Sequence, residues 1–266
     1  MLRVVVLLKP VPDTASGAER LGPDKRLDRA AAPAAVNAND EYALEAALKL
    51  VEAHGGEVTL VSMAPLSAPE TLRKALAMGA TRGVLVTDPT LAGSDTLSTV
   101  RVLAAAVKDL EYDLLLAGAD TSDGGAGVVP AGVAALLRLP YLSYAAKIEP
   151  DTDGGTVRVR RISPTGYDVL EAPMPALVVC TQALGEPRYP SLKGIMAARS
   201  KEVATKSAAD LGGDISARGG IGGAAATTKV LDARKPPERP PTRVVREPAP
   251  EAAKQVVTFL VERRIV

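Results

Sequence analysis

Over its first half, this chain alternates short, strand-length apolar runs with segments whose apolar residues recur at helical spacing. Few folds accept that order. Leu2 to Leu8, Val58 to Met63, Val84 to Thr87 and Leu114 to Ala117 read as strands. Asp40 to Val51, Pro69 to Met78, Ser94 to Leu110 and a segment from about Gly127 to Leu137 read as helices between and after them. Asn39 or Asp40 suits the start of the first helix, and Asp95 sits at the positive end of the third. Gly55-Gly56 and Gly79 stand where helices stop. Strands separated by crossover helices return in the same direction, so the expectation is a parallel sheet with helices on both faces.

The pattern changes after Leu137. Tyr141 to Ile148, Thr156 to Ile162, Tyr167 to Leu170 and Ala176 to Cys180 are strand candidates without helices between them, and Asp151 to Gly155 is a turn by composition. They read as an antiparallel extension of the same sheet. Beyond Glu202 the core signal fades. Residues 212–223 contain six glycines and residues 235–250 contain six prolines among many charges. Such a stretch buries too little apolar surface to offset its ordering entropy. Pro250 to Arg263 then reads as an amphipathic helix with Val256, Val257, Leu260 and Val261 on one side. The division expected is residues 1–202 as a core and residues 203–266 as an arm, either a disordered tail or a strap around a partner.

Composition excludes several classes. Only 3% of residues are aromatic and there is no Trp, so Ala, Val and Leu must fill the core. That suits helices packed on a parallel sheet. A net charge of +1 gives no footprint for nucleic acid or an anionic membrane. A single cysteine, Cys180, rules out an internal disulfide framework and a cysteine metal cluster, and its apolar neighbours make it a small buried hydrophobe. The single histidine, His54, reads as a helix-terminal residue rather than a base or ligand. No run of 18 apolar residues is present and no signal-peptide layout opens the chain, so no membrane insertion and a cytoplasmic location are expected. No catalytic set and no metal ligands emerge.

Two segments carry binding chemistry. Gly118 to Pro130, GADTSDGGAGVVP, falls where the fourth strand ends and a helix begins. Open parallel sheets bind ligands beyond the carboxyl ends of their strands. Gly124, Gly125 and Gly127 allow close backbone approach, Thr121 and Ser122 add hydroxyls, and N–H groups at a helix start attract phosphate. The segment is neither a Walker sequence nor GxGxxG, and a glycine-rich strand-to-helix turn is often only a tight turn with a cap. Leu7-Leu8-Lys9, Asn37 to Asp40 and Val61 to Pro65 should converge on the same edge. The second segment, Glu186 to Lys201, sets Leu192 between Pro190, Ser191 and Gly194 and then launches a short basic helix, Ile195 to Lys201. It reads either as a strand-to-helix connection with Leu192 in its own core, or as a projecting loop that offers Leu192 to a partner's pocket.

The runs LLKPVPDT at 7–14, ALAMGATRGVLV at 75–86, LLLAGADTSDGGAGVVP at 114–130 and EPRYPSLKGIMAARSKE at 186–202 together resemble the electron-transfer flavoprotein beta subunit and FixA family over about the first 200 residues. The resemblance implies an adenine-nucleotide-binding-type α/β fold and a non-enzymatic electron carrier. It implies a heterodimer whose alpha subunit holds most of the redox-active FAD and is wrapped by this chain's C-terminal arm. It implies a structural AMP in this subunit, with acyl-CoA dehydrogenase-type donors and a membrane quinone oxidoreductase as acceptor. Carried over by position, AMP contacts fall at Leu7, Asn37 to Asp40, Met63 and Ser122 to Val133. The candidate nucleotide set is thus Leu7, Lys9, Asn37, Ala38, Asn39, Asp40, Met63, Thr121, Ser122, Asp123, Gly124, Gly125, Ala126, Gly127, Val128, Val129 and Pro130. The candidate partner contacts are Leu192 as anchor, with Ile195, Met196, Arg199 and Lys201.

Some positions depart from the family. Gly127 and Val128 stand where many relatives carry Gln or Asn, leaving more of the phosphate contact to backbone N–H groups. Ile162 replaces an acidic residue and Thr14 a tyrosine, both near the flavin in relatives. Two alternatives stay open. One is an electron-bifurcating form with a second FAD in place of AMP. The other is a stand-alone nucleotide-binding stress or regulatory protein, which would need neither the Leu192 segment nor the apolar terminal helix.

Overall fold

The computed structural model describes residues 1–212, 220–234, 237, 241–242 and 244–266. Residues 213–219 of the glycine-rich stretch, and 235–236, 238–240 and 243 of the proline-rich stretch, lie outside the described residues. The chain forms two compact units, Met1–Val230 and Leu231–Val266.

The first unit is built on a nine-stranded sheet. Its strands are β1 (Leu2–Leu7), β4 (Gly56–Met63), β5 (Arg82–Val86), β6 (Leu114–Gly118), β7 (Tyr141–Asp151), β8 (Thr156–Ser163), β9 (Gly166–Pro173), β10 (Ala176–Cys180) and β11 (Val203–Lys206). The order across the sheet is β11-β5-β4-β1-β6-β10-β7-β8-β9. Every pair from β11 to β7 is parallel, and the β7-β8-β9 meander is antiparallel. A small ribbon pairs β2 (Pro10–Pro12) with β3 (Ala34–Val36). The helices are α1 (Ala38–His54), α2 (Pro69–Met78), α3 (Thr96–Lys108), α4 (Val129–Leu137) and α5 (Leu192–Ala198). The expected α/β architecture is therefore present, with two cores. Val4, Val6, Leu44, Leu48, Leu72 and Leu76 fill the one under α1 and α2. Val5, Leu7, Val100, Leu103, Val107 and Val133 fill the one under α3 and α4. Strand side chains alternate between the two, as the period of two requires.

Three expectations need correction. Ala176 to Cys180 is not part of the antiparallel extension. As β10 it runs between β6 and β7, parallel to both, and all five residues are buried. A continuous apolar run buried on both faces is what a central parallel strand requires. The core also does not end at Glu202. Val203–Lys206 adds β11 to the edge at β5. Further on, Gly223 N–H donates to Ala92 O at 2.9 Å, and Thr227 and Thr228 hydrogen-bond Asp95. The compact unit therefore reaches Val230. Finally, Asn37, not Asn39 or Asp40, holds the N-cap position of the first helix, and its side chain makes no cap bond there.

The second unit contains α6 (Ala249–Glu262), close to the expected span, and none of its residues is buried. Val256, Val257, Phe259 and Val261 are all exposed. No helix among the described residues is long and apolar enough to cross a membrane, and no group of potential metal ligands is present among them.

Candidate functional site

From β1 the chain moves outward in one direction, to β4 and then β5, before β6 returns to the other side of β1. The carboxyl ends of β1 and β6 therefore flank the topological switch point, where open α/β sheets leave a crevice. Leu7 closes β1 and Gly118 closes β6. The start of α1 is packed across both ends. Asp40, 5% exposed, accepts the Lys9 N–H at 2.8 Å and is also hydrogen-bonded by the Gly118 N–H. A Cβ on Gly118 would lie 2.5 Å from Asp40 Oδ1 and 2.8 Å from Asn39 Cβ, so only glycine lets helix and strand meet here.

Burial raises the Asp40 carboxyl to about 7, against the opposing pull of the Lys9 and Gly118 N–H bonds, the Asn37 contact and the Lys9 charge. The folded state then holds a proton that the unfolded chain has lost. Stability should fall as pH rises from about 4 to about 7 and level off above. Asp40→Asn should flatten that part of the melting-temperature profile. An identical slope in both proteins would refute the shift.

The turn between β6 and α4 is tied at its ends by Asp120. Asp120 Oδ1 accepts from Thr121 N at 2.7 Å and Gly127 N at 3.0 Å. Its main-chain carbonyl accepts from Asn37 Nδ2 at 2.8 Å and Asn39 Nδ2 at 3.0 Å, and Asn37 Oδ1 accepts from Ser122 N. Gly125 and Gly127 hold the left-handed φ values of 55° and 61° that close the turn. Asp123 points inward between two cations, Lys9 Nζ at 2.7 Å and Arg29 Nη2 at 2.6 Å. Burial opposes its ionisation, but the two cations outweigh burial and hold it down at about 2. The N–H groups of Asp123, Gly124, Ala126 and Val128 have no acceptor among the described residues. The first N–H groups of α4 lie just beyond, and Val128 offers no side-chain cap.

Of the candidate nucleotide residues, the fold brings together Leu7, Lys9, Asn37, Asn39, Asp40 and the turn Thr121 to Val128. Met63 ends the neighbouring β4 and packs, with Leu7, into the core under α3 and α4. Pro130 is buried, and Val129 half-buried, inside α4. Ala38 faces elsewhere, lining a cavity of about 580 Å3 with Tyr42, Met78 and Pro187 to Pro190.

The docking segment is helical earlier than expected. Ser191 Oγ accepts the Gly194 N–H at 3.0 Å and so caps α5, making Leu192 its first residue rather than part of a loop. Leu192 is 78% exposed, Met196 58% and Ile195 45%, so the reading of Leu192 as core does not hold. Arg199 is exposed. Lys201 is occupied within this chain, donating to Leu76 O at 3.0 Å and Ala80 O at 2.6 Å.

Residues 25–211 match the family model for the electron transfer flavoprotein domain. The chain belongs to the electron-transfer flavoprotein family. Within it, the chain falls with the beta subunits and FixA. It is 37% identical over 266 residues to electron transfer flavoprotein subunit beta of Clostridium acetobutylicum, covering 100% of both chains. The same subunit of Mycobacterium tuberculosis is 37% identical over 272 residues, again 100% of both. Protein FixA of Azorhizobium caulinodans is 39% identical over 235 residues, 86% of this chain and 83% of that one.

Sequence reasoning missed several residues that the structure places at the candidate sites. Arg29 reaches Asp123 only because the β2-β3 ribbon folds the intervening segment back, and its own neighbourhood carries no motif. Asp120 was legible in principle, as an acid two residues after a strand and before glycines. Arg188 lies inside the quoted signature, but its partners Glu45 and Glu52 are remote in sequence.

Proposed function

We propose that this chain is an electron-carrier subunit that joins an FAD-bearing alpha subunit and presents that flavin to acyl-CoA dehydrogenase-type donors, then to a membrane quinone oxidoreductase, from a cytoplasmic location. The observation that carries this reading is the outward placement of Leu192, Ile195 and Met196 on a capped helix within the family's signature segment. Apolar side chains clustered on a surface helix are an unfavourable arrangement unless a partner covers them. The redox chemistry belongs to the flavin, and the protein supplies position and environment.

A structural AMP is the second part of the proposal. The donor set fits a nucleotide phosphate: free N–H groups on the 123–128 turn, the start of α4, and the Lys9 and Arg29 cations beside it. Bound there, AMP would supply no chemistry and would brace the turn against α1. Gly127 and Val128 offer no side-chain donors, so backbone N–H groups would hold the phosphate. Gly125→Val should reduce the nucleotide retained through purification. Gly155→Val is the matched control, because Gly155 has a similar φ of 68° and equally open surroundings in the β7-β8 turn. Denaturing the co-expressed heterodimer and separating released AMP, ADP and FAD tests the site and distinguishes AMP from a second FAD. Release of no nucleotide beyond the alpha-subunit FAD would refute the assignment.

A further inference from the structure

Helix α5 buries only Ala198, and the apolar side chains expected to dock are those it leaves outside. It has almost no hydrophobic footing of its own, so polar contacts must hold it in place. On the downstream side Arg73 Nη1 donates to Ala198 O at 2.8 Å and Arg199 O at 3.3 Å, and Lys201 donates to Leu76 O in the last turn of α2 and to Ala80 O just beyond it. In the middle the α5 backbone lies directly on α2, where a Cβ on Gly194 would come 2.3 Å from Ala77 O.

Among the described residues, the upstream side is attached through Arg188. Arg188 donates from its main-chain N (3.1 Å) and Nε (2.8 Å) to Glu45 Oε2, and from Nη2 to Glu45 Oε1 at 3.2 Å. The same guanidinium donates to Glu52 from Nη1 at 2.5 Å and Nη2 at 3.0 Å. Glu45 and Glu52 lie two turns apart on α1, and Glu45 is only 4% exposed. Burial works against the Glu45 charge, but the Arg188 bonds more than offset it and hold the carboxyl below its ordinary value. A planar five-donor fork can bridge two carboxylates in this way, and a lysine cannot.

We propose that Arg188 is the positioning residue of the docking helix: its fork on Glu45 and Glu52 fixes the extended 186–190 segment on α1, and thereby the direction in which Leu192 is presented. The inference rests on the docking reading above and deepens it. An anchor already held in its bound direction avoids ordering costs on association, so loosening the fork weakens capture of the dehydrogenase without touching the flavin.

The test uses the flavin-loaded heterodimer, with a reduced medium-chain acyl-CoA dehydrogenase as donor. Arg188→Gln should raise the KM for the dehydrogenase about five-fold or more, with kcat and flavin content unchanged. Trypsin should cleave faster after the exposed Lys193. Arg188→Lys should recover only part of the KM. Glu52→Gln removes the exposed arm of the fork while leaving the buried Glu45 pair, so it folds even where Arg188→Gln does not, and should raise KM about two-fold or more. Unchanged KM and cleavage rate in Glu52→Gln and in any folded Arg188→Gln would overturn the positioning role. Leu192→Ala in parallel separates the two ideas. A raised KM there with none in the Arg188 and Glu52 variants removes positioning alone, whereas an unchanged KM for Leu192→Ala removes the docking reading itself.

Discussion

Ending the chain at Val230 should leave a folded, nucleotide-competent core that no longer assembles with an alpha subunit. The cut falls where the first compact unit ends, just beyond the Thr227 and Thr228 bonds to Asp95. Asp95 caps α3 through Ser98 N at 2.8 Å and also accepts from Thr227 N at 2.6 Å and Thr228 N at 3.0 Å. Those bonds pull its carboxyl far below the ordinary range despite the opposing effect of burial, and all survive the cut. What is lost is α6, whose Val256, Val257, Phe259 and Val261 are exposed. A two-turn or longer amphipathic helix with nothing buried gains its stability from packing elsewhere, because isolated helices of this length are marginal. Ending the chain at Glu202 instead should destabilise the core, since β11 and the Asp95 partners go with it. Melting temperature and co-purification with the alpha subunit read both outcomes. Full heterodimer yield from the Val230 truncation would refute the wrapping role of the arm.

Leu192→Ala should slow electron delivery from the dehydrogenase while leaving melting temperature and flavin content almost unchanged. A truncated interface anchor commonly costs about 1–2 kcal/mol, or roughly a five- to thirty-fold loss of affinity. The folded chain should barely register the change, because a side chain 78% exposed has little packing to lose. A buried leucine would behave in the opposite way, with roughly 2–5 kcal/mol lost to transfer and cavity terms. Measuring coupled flavin reduction and thermal unfolding on one sample decides between them. A large fall in melting temperature with normal transfer per folded molecule would rule out the anchor.

Much of the fold was open to reading because its driving pattern is local. The alternation of VVVLL, VTLVS and LLLAG with helical periods is decided by side-chain spacing along a few residues, and the parallel sheet followed from it. Two of the misreadings came from elements whose identity is not local. Strand β10 follows three strands without helices, and its sequence neighbours argued for antiparallel pairing. Its place beside β6 depends on which edge was still unpaired when the chain returned. Strand β11 reads VATK, too short and too polar to announce a strand, and exists because β5 offers a free edge. The candidate nucleotide turn was legible through its glycines and its position after a strand, whereas the Arg29 contact to Asp123 was not.

The sequence by itself determined the fold class, the family, the two candidate binding segments and the separate character of the terminal helix. Each rests on composition, periodicity or a contiguous motif, and these survive without three-dimensional context. Only the tertiary structure decided that Leu192 is exposed at the head of a helix and that Lys201 serves α2. It alone brought Asp40 beneath Gly118 and set Arg188 on Glu45 and Glu52. Those facts depend on which surfaces remain free after the sheet and helices have packed. Burial and long-range pairing are properties of the whole chain, and contacts between residues more than seventy positions apart leave no periodic trace in a single sequence.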